Sequence, residues 1–257
     1  MEADSKAQKL KGRVALITGA GRGIGRAIAI QFADEGADLF LCATRMETLE
    51  ETQELAARSG QQIELYPTDV ADRDAVSAMV QKTIDSFGQI DILVNNAGIY
   101  KRAAFVDYSY EDFDRIMKVN LYGPFNVTQF VLKHMIERKK GKIINIASTA
   151  GKWASFGQSA YNVSKHGLVG MTRCLGLEMG PVGINVNAIC PGVVETDMLT
   201  QFGPPSPEVL NAIKQRIALG RLMKPEDVAF LAAYLASSES DGMTGQSILL
   251  DGGMVFV

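Results

Sequence analysis

Apolar and polar positions change rhythm along the chain, and that change of rhythm predicts its elements. Short runs rich in Val, Ile and Leu read as strands over residues 14–18, 39–43, 63–66, 92–95, 142–147, 184–189 and 247–250. Between them apolar positions fall at helical spacing, giving helices over 24–34, 48–58, 75–87, 113–137 and 161–179. The early runs are apolar almost throughout, as expected for strands of a parallel sheet covered on both faces. An alternation that lasts to the end of the chain predicts an α/β fold: one doubly wound, parallel, seven-stranded sheet flanked by helices on both faces.

One stretch breaks the rhythm, Gly-Pro-Pro-Ser-Pro at 203–207. Only residues 208–257 follow, and they still carry helices and a strand. The break therefore reads as a surface loop inside a single domain spanning 1–257, not as a linker. Residues 1–11 form a polar extension with no apolar signal-like core, and no run reaches transmembrane length. The expectation is a soluble, cytoplasmic protein without a membrane partner.

Composition adds exclusions. With 47% hydrophobic and 21% charged residues the chain can build a sizeable core, which argues against disorder. A net charge of −3, with no basic cluster longer than Arg138-Lys139-Lys140, argues against nucleic acid as a partner. The three cysteines (Cys42, Cys174, Cys190) are scattered in apolar stretches and read as small buried thiols. Neither His134 nor His166 has metal-ligand spacing with them, so no metal is expected.

Candidate chemistry begins where the first strand ends, in Thr18-Gly19-Ala20-Gly21-Arg22-Gly23-Ile24-Gly25. Glycines there let the chain turn sharply and let a pyrophosphate approach the N–H groups at a helix start. The spacing departs from the generic G-x-G-x-x-G, and a glycine-rich turn can be only a tight turn; its place after the first strand favours a dinucleotide and a Rossmann fold. Enzymes that use NAD place an acidic residue at the end of the second strand, against the ribose 2′-hydroxyl. Here that stretch reads Cys42-Ala43-Thr44-Arg45, and the nearest acid, Asp38, opens the strand roughly 16 Å away. Arg22 and Arg45, with the Thr44 hydroxyl, could bind a 2′-phosphate, or the two arginines could be ordinary solvated surface groups.

A second constellation centres on Tyr161 and Lys165. Four residues apart on a helix, they share one face. A free phenol titrates near ~10, and a nearby ammonium favours the phenolate, bringing proton exchange towards the working range. The pair alone is common on ordinary helices. Ser148, at the end of the strand over 142–147, lies where α/β sheets gather ligands and could polarise a substrate oxygen. Asn120 lies inside the helix over 113–137, which contains Gly123-Pro124. Pro124 has no N–H for the carbonyl four residues back, so a kink should leave the Asn120 carbonyl open to hold a water.

Taken together, these motifs resemble the short-chain dehydrogenase/reductase family. The resemblance runs through Thr18–Gly25 in order, then Asn95-Asn96-Ala97-Gly98, Asn120, Ser148, Tyr161, Lys165, Pro191-Gly192-x-x-x-Thr196 and Asp251-Gly252-Gly253. It implies a catalytic set of Asn120, Ser148, Tyr161 and Lys165. It also implies that Gly19, Gly21, Arg22, Gly23, Ile24, Gly25, Thr44, Arg45, Asp69, Val70, Asn96, Ala97, Gly98, Tyr161, Lys165, Pro191, Gly192, Val194 and Thr196 hold the cofactor. Similarity to NADPH-dependent members, which often carry a basic residue at the Arg22 position, favours NADP(H) over NAD(H); by the same resemblance Asp69 meets the adenine, although Asp69 and Asp72 also compete to cap the next helix.

Trp153, Phe156 and Gln158 fall in the segment that flanks the substrate in relatives. Residues 197–217 resemble a mobile substrate-covering loop, with Met198, Leu199 and Phe202 giving it an apolar face. Lys101 and Arg102, near the expected mouth, could meet an anionic substrate or carrier, or be a solvated pair. The implied activity is interconversion of a ketone and a secondary alcohol, with 3-oxoacyl thioester reductases the nearest likeness. The alternatives are a sugar, polyol or other small secondary-alcohol dehydrogenase and, from a different class, a nucleotide-binding regulator without turnover. The family also implies a homotetramer or homodimer, paired through the helices over 113–137 and 161–179.

Overall fold

The computed structural model describes residues 8–57, 60–201 and 203–255. Residues 1–7, Arg58 at the end of the second expected helix, and Phe202 lie outside the described residues. Seven parallel strands form one sheet: β1 (Val14–Thr18), β2 (Asp38–Ala43), β3 (Ile63–Pro67), β4 (Ile92–Asn95), β5 (Gly141–Ile146), β6 (Ile184–Pro191) and β7 (Ser247–Leu250). Their order is β3-β2-β1-β4-β5-β6-β7. The doubly wound sheet expected from the pattern is therefore present, and the chain reverses its winding between β1 and β4. That reversal opens a crevice at the carboxyl ends of these two strands.

Alternate residues of each strand feed different cores, which is why the runs are apolar throughout. Ala15, Ile17, Leu39, Leu41, Ile92, Val94, Ile144, Ile146 and Ile189 face one cluster, packed with α1 (Gly23–Asp34) and α9 (Pro225–Ala236). Leu16, Phe40, Leu93, Ile143, Ile184 and Val186 face the other, under α3 (Arg73–Phe87) and α5 (Gly123–Arg138). The remaining helices are α2 (Met46–Ala56), α4 (Tyr110–Met117), α6 (Ser159–Met179), α7 (Asp197–Thr200) and α8 (Pro207–Gln215). Asp72, not Asp69, caps α3, its carboxylate accepting from the N–H groups of Asp74 and Ala75.

A buried polar chain ties α5 and α6 to the sheet. The Asn95 amide donates to Thr128 Oγ1 and Asn145 Oδ1, at 2.9 and 2.8 Å, and the Asn145 amide donates to Thr172 Oγ1 at 2.9 Å. Satisfied bonds of this kind inside a core fix one arrangement of the helices, because each broken one leaves a buried polar group stranded.

The structure corrects three expectations. The helix expected over 113–137 starts at 110 and is broken into α4, a π-turn over Lys118–Tyr122, and α5. In that turn the Gly123 N–H reaches back five residues to the Lys118 carbonyl. The cause is the one read from Pro124: without its N–H the regular four-residue ladder cannot continue. The segment over 197–217 is no bare loop. It holds α7 and α8, the latter started by the Ser206 cap and Pro207, with Leu199, Leu210, Ile213 and Ile217 packed on the core. Finally, only Cys42 and Cys190 are buried. Cys174 is exposed, because it shares the outward stripe of α6 with Val163, Gly170 and Leu177.

Among the described residues, no helix is long and apolar enough to cross a membrane.

Candidate active site

The crevice between β1 and β4 is bridged by hydrogen bonds between the glycine turn and the segment over 95–98. Thr18, the last residue of β1, accepts from the N–H groups of Asn96 and Ala97 at 3.0 and 3.1 Å. The Asn96 amide donates back to the carbonyls of Thr18 and Gly19, both at 3.0 Å. These bonds hold the glycine turn against the Asn-Asn-Ala-Gly segment, so Asn96 shapes the turn through its backbone. At its glycines the turn has no room for side chains. Gly19 has φ +64°, and a methyl there would sit 2.8 Å from the Ala97 Cα, while one on Gly25 would fall on the Gly19 carbonyl. The Thr196 methyl group comes within 3.2 Å of where a Gly23 side chain would begin, so the segment after β6 reaches the same turn.

The residues present fit a dinucleotide. The N-terminus of α1 has no side-chain cap and no acid in its first turn, which leaves its N–H groups for a pyrophosphate. Arg26 donates to the Gly21 carbonyl at 2.5 Å, to Thr52 at 3.1 Å and to Glu51 at 2.6 Å, bracing the turn from behind. Thr44 and Arg45 are exposed at the carboxyl end of β2. Asp38 is at the other end, accepting the Gln62 N–H at 2.9 Å. Arg22 is exposed and pairs with Asp197 of α7 at 3.1 Å. Asp69 is held by the Arg115 guanidinium at 2.8 Å and by the Ala71 N–H at 3.0 Å. Burial raises its carboxyl pKa, but those bonds outweigh it and leave the pKa below the ordinary value. Val70 is buried beside Gly123, and Val194 bridges to Met223. Pro191 ends β6, where the Gly192 N–H continues the ladder to the Leu250 carbonyl.

The four residues expected to act on substrate come together at the carboxyl end of β5. Ser148 follows the strand and hydrogen-bonds the Tyr161 hydroxyl, while its own oxygen accepts the Ala150 N–H at 3.0 Å. Lys165, one turn along α6, is 4% exposed and donates from Nζ to the Ile146 carbonyl at 2.8 Å. Nζ lies 5.7 Å from the centroid of the Tyr161 ring. Gly98 lies between these groups: a Cβ on it would be 3.5 Å from Asn120 Oδ1 and 3.7 Å from Lys165 Nζ, ordinary contact distances.

Electrostatically the pair differs from the expectation. Burial pushes the Tyr161 phenol up to about 12, with the Ser148 hydrogen bond opposing and Tyr100 adding to the rise. Burial also brings Lys165 down to about 8, partly opposed by Cys190. The phenol thus lies above its ordinary value, not below it: burial dominates, and the Lys165 ammonium donates to the Ile146 carbonyl.

Asn120, the fourth of the set, brings two further residues into this site, Ser164 and Tyr100. Asn120, fully buried, clamps Ile99 by both backbone groups: Oδ1 accepts its N–H at 2.8 Å and Nδ2 donates to its carbonyl at 2.9 Å. Nδ2 also donates to Ser164 Oγ at 3.2 Å, and Ser164 donates to the Tyr161 carbonyl at 2.7 Å. The next residue, Tyr100, packs edge-on against Tyr161, centroids 5.3 Å apart and planes at 85°. Ser164 was visible only as a small polar residue one turn from Tyr161; Tyr100 carried no spacing signal. Of the expected substrate contacts, Gln158 reaches the site, hydrogen-bonding Tyr100. Trp153 and Met198 are exposed, 51% and 38%, with Phe156 still more so. Lys101 pairs with Asp112, whereas Arg102 lies beside Gly157 and Tyr100.

A glycine turn under a helix N-terminus lies next to a Ser–Tyr–Lys group at the sheet's carboxyl edge, and known proteins resemble the chain over nearly its whole length. The family model described as enoyl-(acyl carrier protein) reductase matches residues 19–255. The chain belongs to the short-chain dehydrogenase/reductase family. It is 41% identical to the 3-oxoacyl-[acyl-carrier-protein] reductase FabG of Thermotoga maritima, over 96% of this chain and 99% of that protein. It is 44% identical to oxidoreductase UcpA of Salmonella typhimurium over 95% of each. Among solved structures it is similar to a short-chain type dehydrogenase/reductase from Mycobacterium marinum (TM-score 0.92, 33% identity, 97% of this chain and 98% of that one). It is also similar to levodione reductase (TM-score 0.92, 34% identity, 95% and 98%). The chain is accordingly an NAD(P)-dependent dehydrogenase/reductase.

Proposed function

We propose that this enzyme uses NADP(H) to interconvert a ketone and a secondary alcohol, with Tyr161 as the acid–base and a 3-oxoacyl thioester as the substrate class. The observation that carries this reading is the meeting of Ser148, Tyr161 and buried Lys165 at the carboxyl end of β5. Gly19, Gly21, Gly23, Ile24 and Gly25 hold the pyrophosphate on the α1 terminus. Asn96, Ala97 and Gly98, with Pro191, Gly192, Val194 and Thr196, line the nicotinamide side. Asp69 and Val70 meet the adenine. Arg22, Thr44 and Arg45 take the 2′-phosphate, and the placing of Asp38 at the far end of β2 supports NADP over NAD. The chemistry that the bound nicotinamide supplies is a hydride for the carbonyl carbon.

The protein's own residues handle the oxygen. Ser148 donates a hydrogen bond to the carbonyl, drawing charge towards it. Tyr161 then passes its proton to that oxygen as it becomes an alkoxide, and a phenol held near 12 keeps that proton until negative charge develops. The resulting phenolate is stabilised by the Lys165 ammonium and reprotonated through water at the Asn120 carbonyl, which Pro124 cannot occupy. Lys165 also binds the ribose hydroxyls. In oxidation the same groups act in reverse.

A 3-oxoacyl thioester is supported by the likeness to the Thermotoga maritima reductase and by exposed apolar groups at the mouth, Phe156, Trp153 and Met198, with Arg102 for an anionic carrier. We assign the chain to a homotetramer or homodimer through the exposed faces of α5 and α6. The test is NADPH oxidation by the purified protein with 3-oxoacyl thioesters, 2-enoyl thioesters, keto-sugars and simple ketones. Turnover of 3-oxoacyl thioesters, lowered at least ~100-fold in Tyr161→Phe with NADPH binding retained, is expected. Turnover of enoyl thioesters alone, or full activity in Tyr161→Phe, overturns the reading.

A further inference from the structure

Tyr100 stands where three parts of the site meet. Its ring packs edge-on on Tyr161, its hydroxyl is hydrogen-bonded by Gln158, and its carbonyl accepts a hydrogen bond at 3.0 Å from Gln201, directly after α7. Its backbone is not free to drift. The preceding residue is clamped by the Asn120 amide at both its N–H and its carbonyl. Asn120 in turn bonds Ser164, which bonds the Tyr161 carbonyl. The loop bearing Tyr100 and the helix bearing Tyr161 are thus joined twice, once through Asn120 and Ser164 and once ring to ring.

We infer that Tyr100 is a positioning residue for Tyr161: its ring fixes the phenol's orientation, and its backbone carries the seating of the 197–201 segment to the acid–base. This rests on the role proposed above for Tyr161. A ring at edge-on contact excludes water from one side of the phenol and removes rotamers that would carry the hydroxyl away from Ser148. The groups facing Tyr161 are Lys165 on its own helix, Ser148 after β5 and Tyr100 after β4. Behind them lie Arg102, which faces Tyr100, and Cys190 of β6, which faces Lys165 and Lys152. Of these only Tyr100 covers the ring with an uncharged apolar edge, so its removal should wet the phenol without removing a countercharge.

The test compares Tyr100→Phe, which keeps the ring, with Tyr100→Ala, which does not. Each is paired with a version also carrying Tyr161→Phe. The tyrosinate absorbance difference within each pair, followed against pH, reads the Tyr161 ionisation without substrate. In the ring-keeping background the midpoint should stay high; in Tyr100→Ala it should fall by about one pH unit or more as the phenol becomes hydrated. With acetoacetyl-coenzyme A, or another ketone of the panel if that one is not turned over, Tyr100→Phe should keep kcat within a few-fold. Tyr100→Ala should lose roughly tenfold or more in kcat with the Kd for NADPH unchanged. Equal midpoints and equal kcat in the two backgrounds overturn the positioning role. Gln201→Ala should raise KM for the ketone; an unchanged KM overturns the part played by the 197–201 segment. Full turnover in Tyr161→Phe alone overturns the acid–base reading instead, and the absorbance comparison still decides whether Tyr100 orders that phenol.

Discussion

Replacing Lys165 with Met should make the protein more stable and inactive, and the gain should vanish at high pH. Lys165 is buried with its pKa brought from 10.5 to about 8, so at pH 7 the fold holds an ammonium that it solvates poorly. The difference corresponds to about 3 kcal/mol. Because the folded value lies below the unfolded one, the unfolded chain binds this proton more tightly. The cost is therefore fully present below pH 8, shrinks as pH rises, and is gone above 10.5. Methionine fills a similar volume without charge but abandons the bond to the Ile146 carbonyl, a loss of about 1 kcal/mol. The net gain at pH 7 is about 2 kcal/mol, or roughly 4–8 °C in Tm for a chain of this size. Urea unfolding of both proteins at pH 7 and at pH 10 measures it. Tyr161 titrates in both, so it cancels in the difference. A Met variant less stable at pH 7, or an advantage that does not change with pH, would refute the account of Lys165 as a strained buried cation. Such strain, kept for chemistry at the expense of stability, is where functional sites depart from optimal folding.

Two further outcomes concern the cofactor. Arg22→Ala should weaken NADPH binding by roughly 10- to 100-fold, the worth of one or two charge-assisted bonds, and leave NADH binding nearly unchanged; fluorescence titration with both nucleotides checks it. Gly25→Ala places a methyl on the Gly19 carbonyl, so it should cost about 1–3 kcal/mol in unfolding free energy and raise the Kd for NADPH more than tenfold, read by urea unfolding and the same titration.

The fold was legible because its signal is periodic. Ala15 and Ile17 facing one core and Leu16 the other is the physical content of an uninterrupted apolar run, and seven such runs in alternation with helices leave few topologies. Pro124 was also legible, since a missing N–H is a property of the residue itself; that the break takes the form of a π-turn over Lys118–Tyr122 depends on the packing of Gly123 against Val70 and was not. The residues around Tyr161 divide in the same way. Tyr161, Lys165 and Ser148 have a spacing that chemistry demands. Tyr100, Ser164 and Arg115 act through contacts between segments distant in sequence, and no local pattern announces them. The sign of the Tyr161 shift was missed for a related reason: an ammonium four residues away is visible in the sequence, whereas the burial that outweighs it is not.

In the proposed reaction Tyr161 protonates a carbonyl oxygen while its carbon receives hydride from NADPH. The most direct measurement is the position of deuterium in the product when NADPH deuterated at the nicotinamide C4 is used, with a 3-oxoacyl thioester and separately with its 2-enoyl counterpart. Deuterium is expected on the carbinol carbon of a 3-hydroxyacyl product, formed by the native enzyme and not by Tyr161→Phe. Deuterium on a saturated acyl chain from the enoyl substrate, or an undiminished yield from Tyr161→Phe, would contradict it.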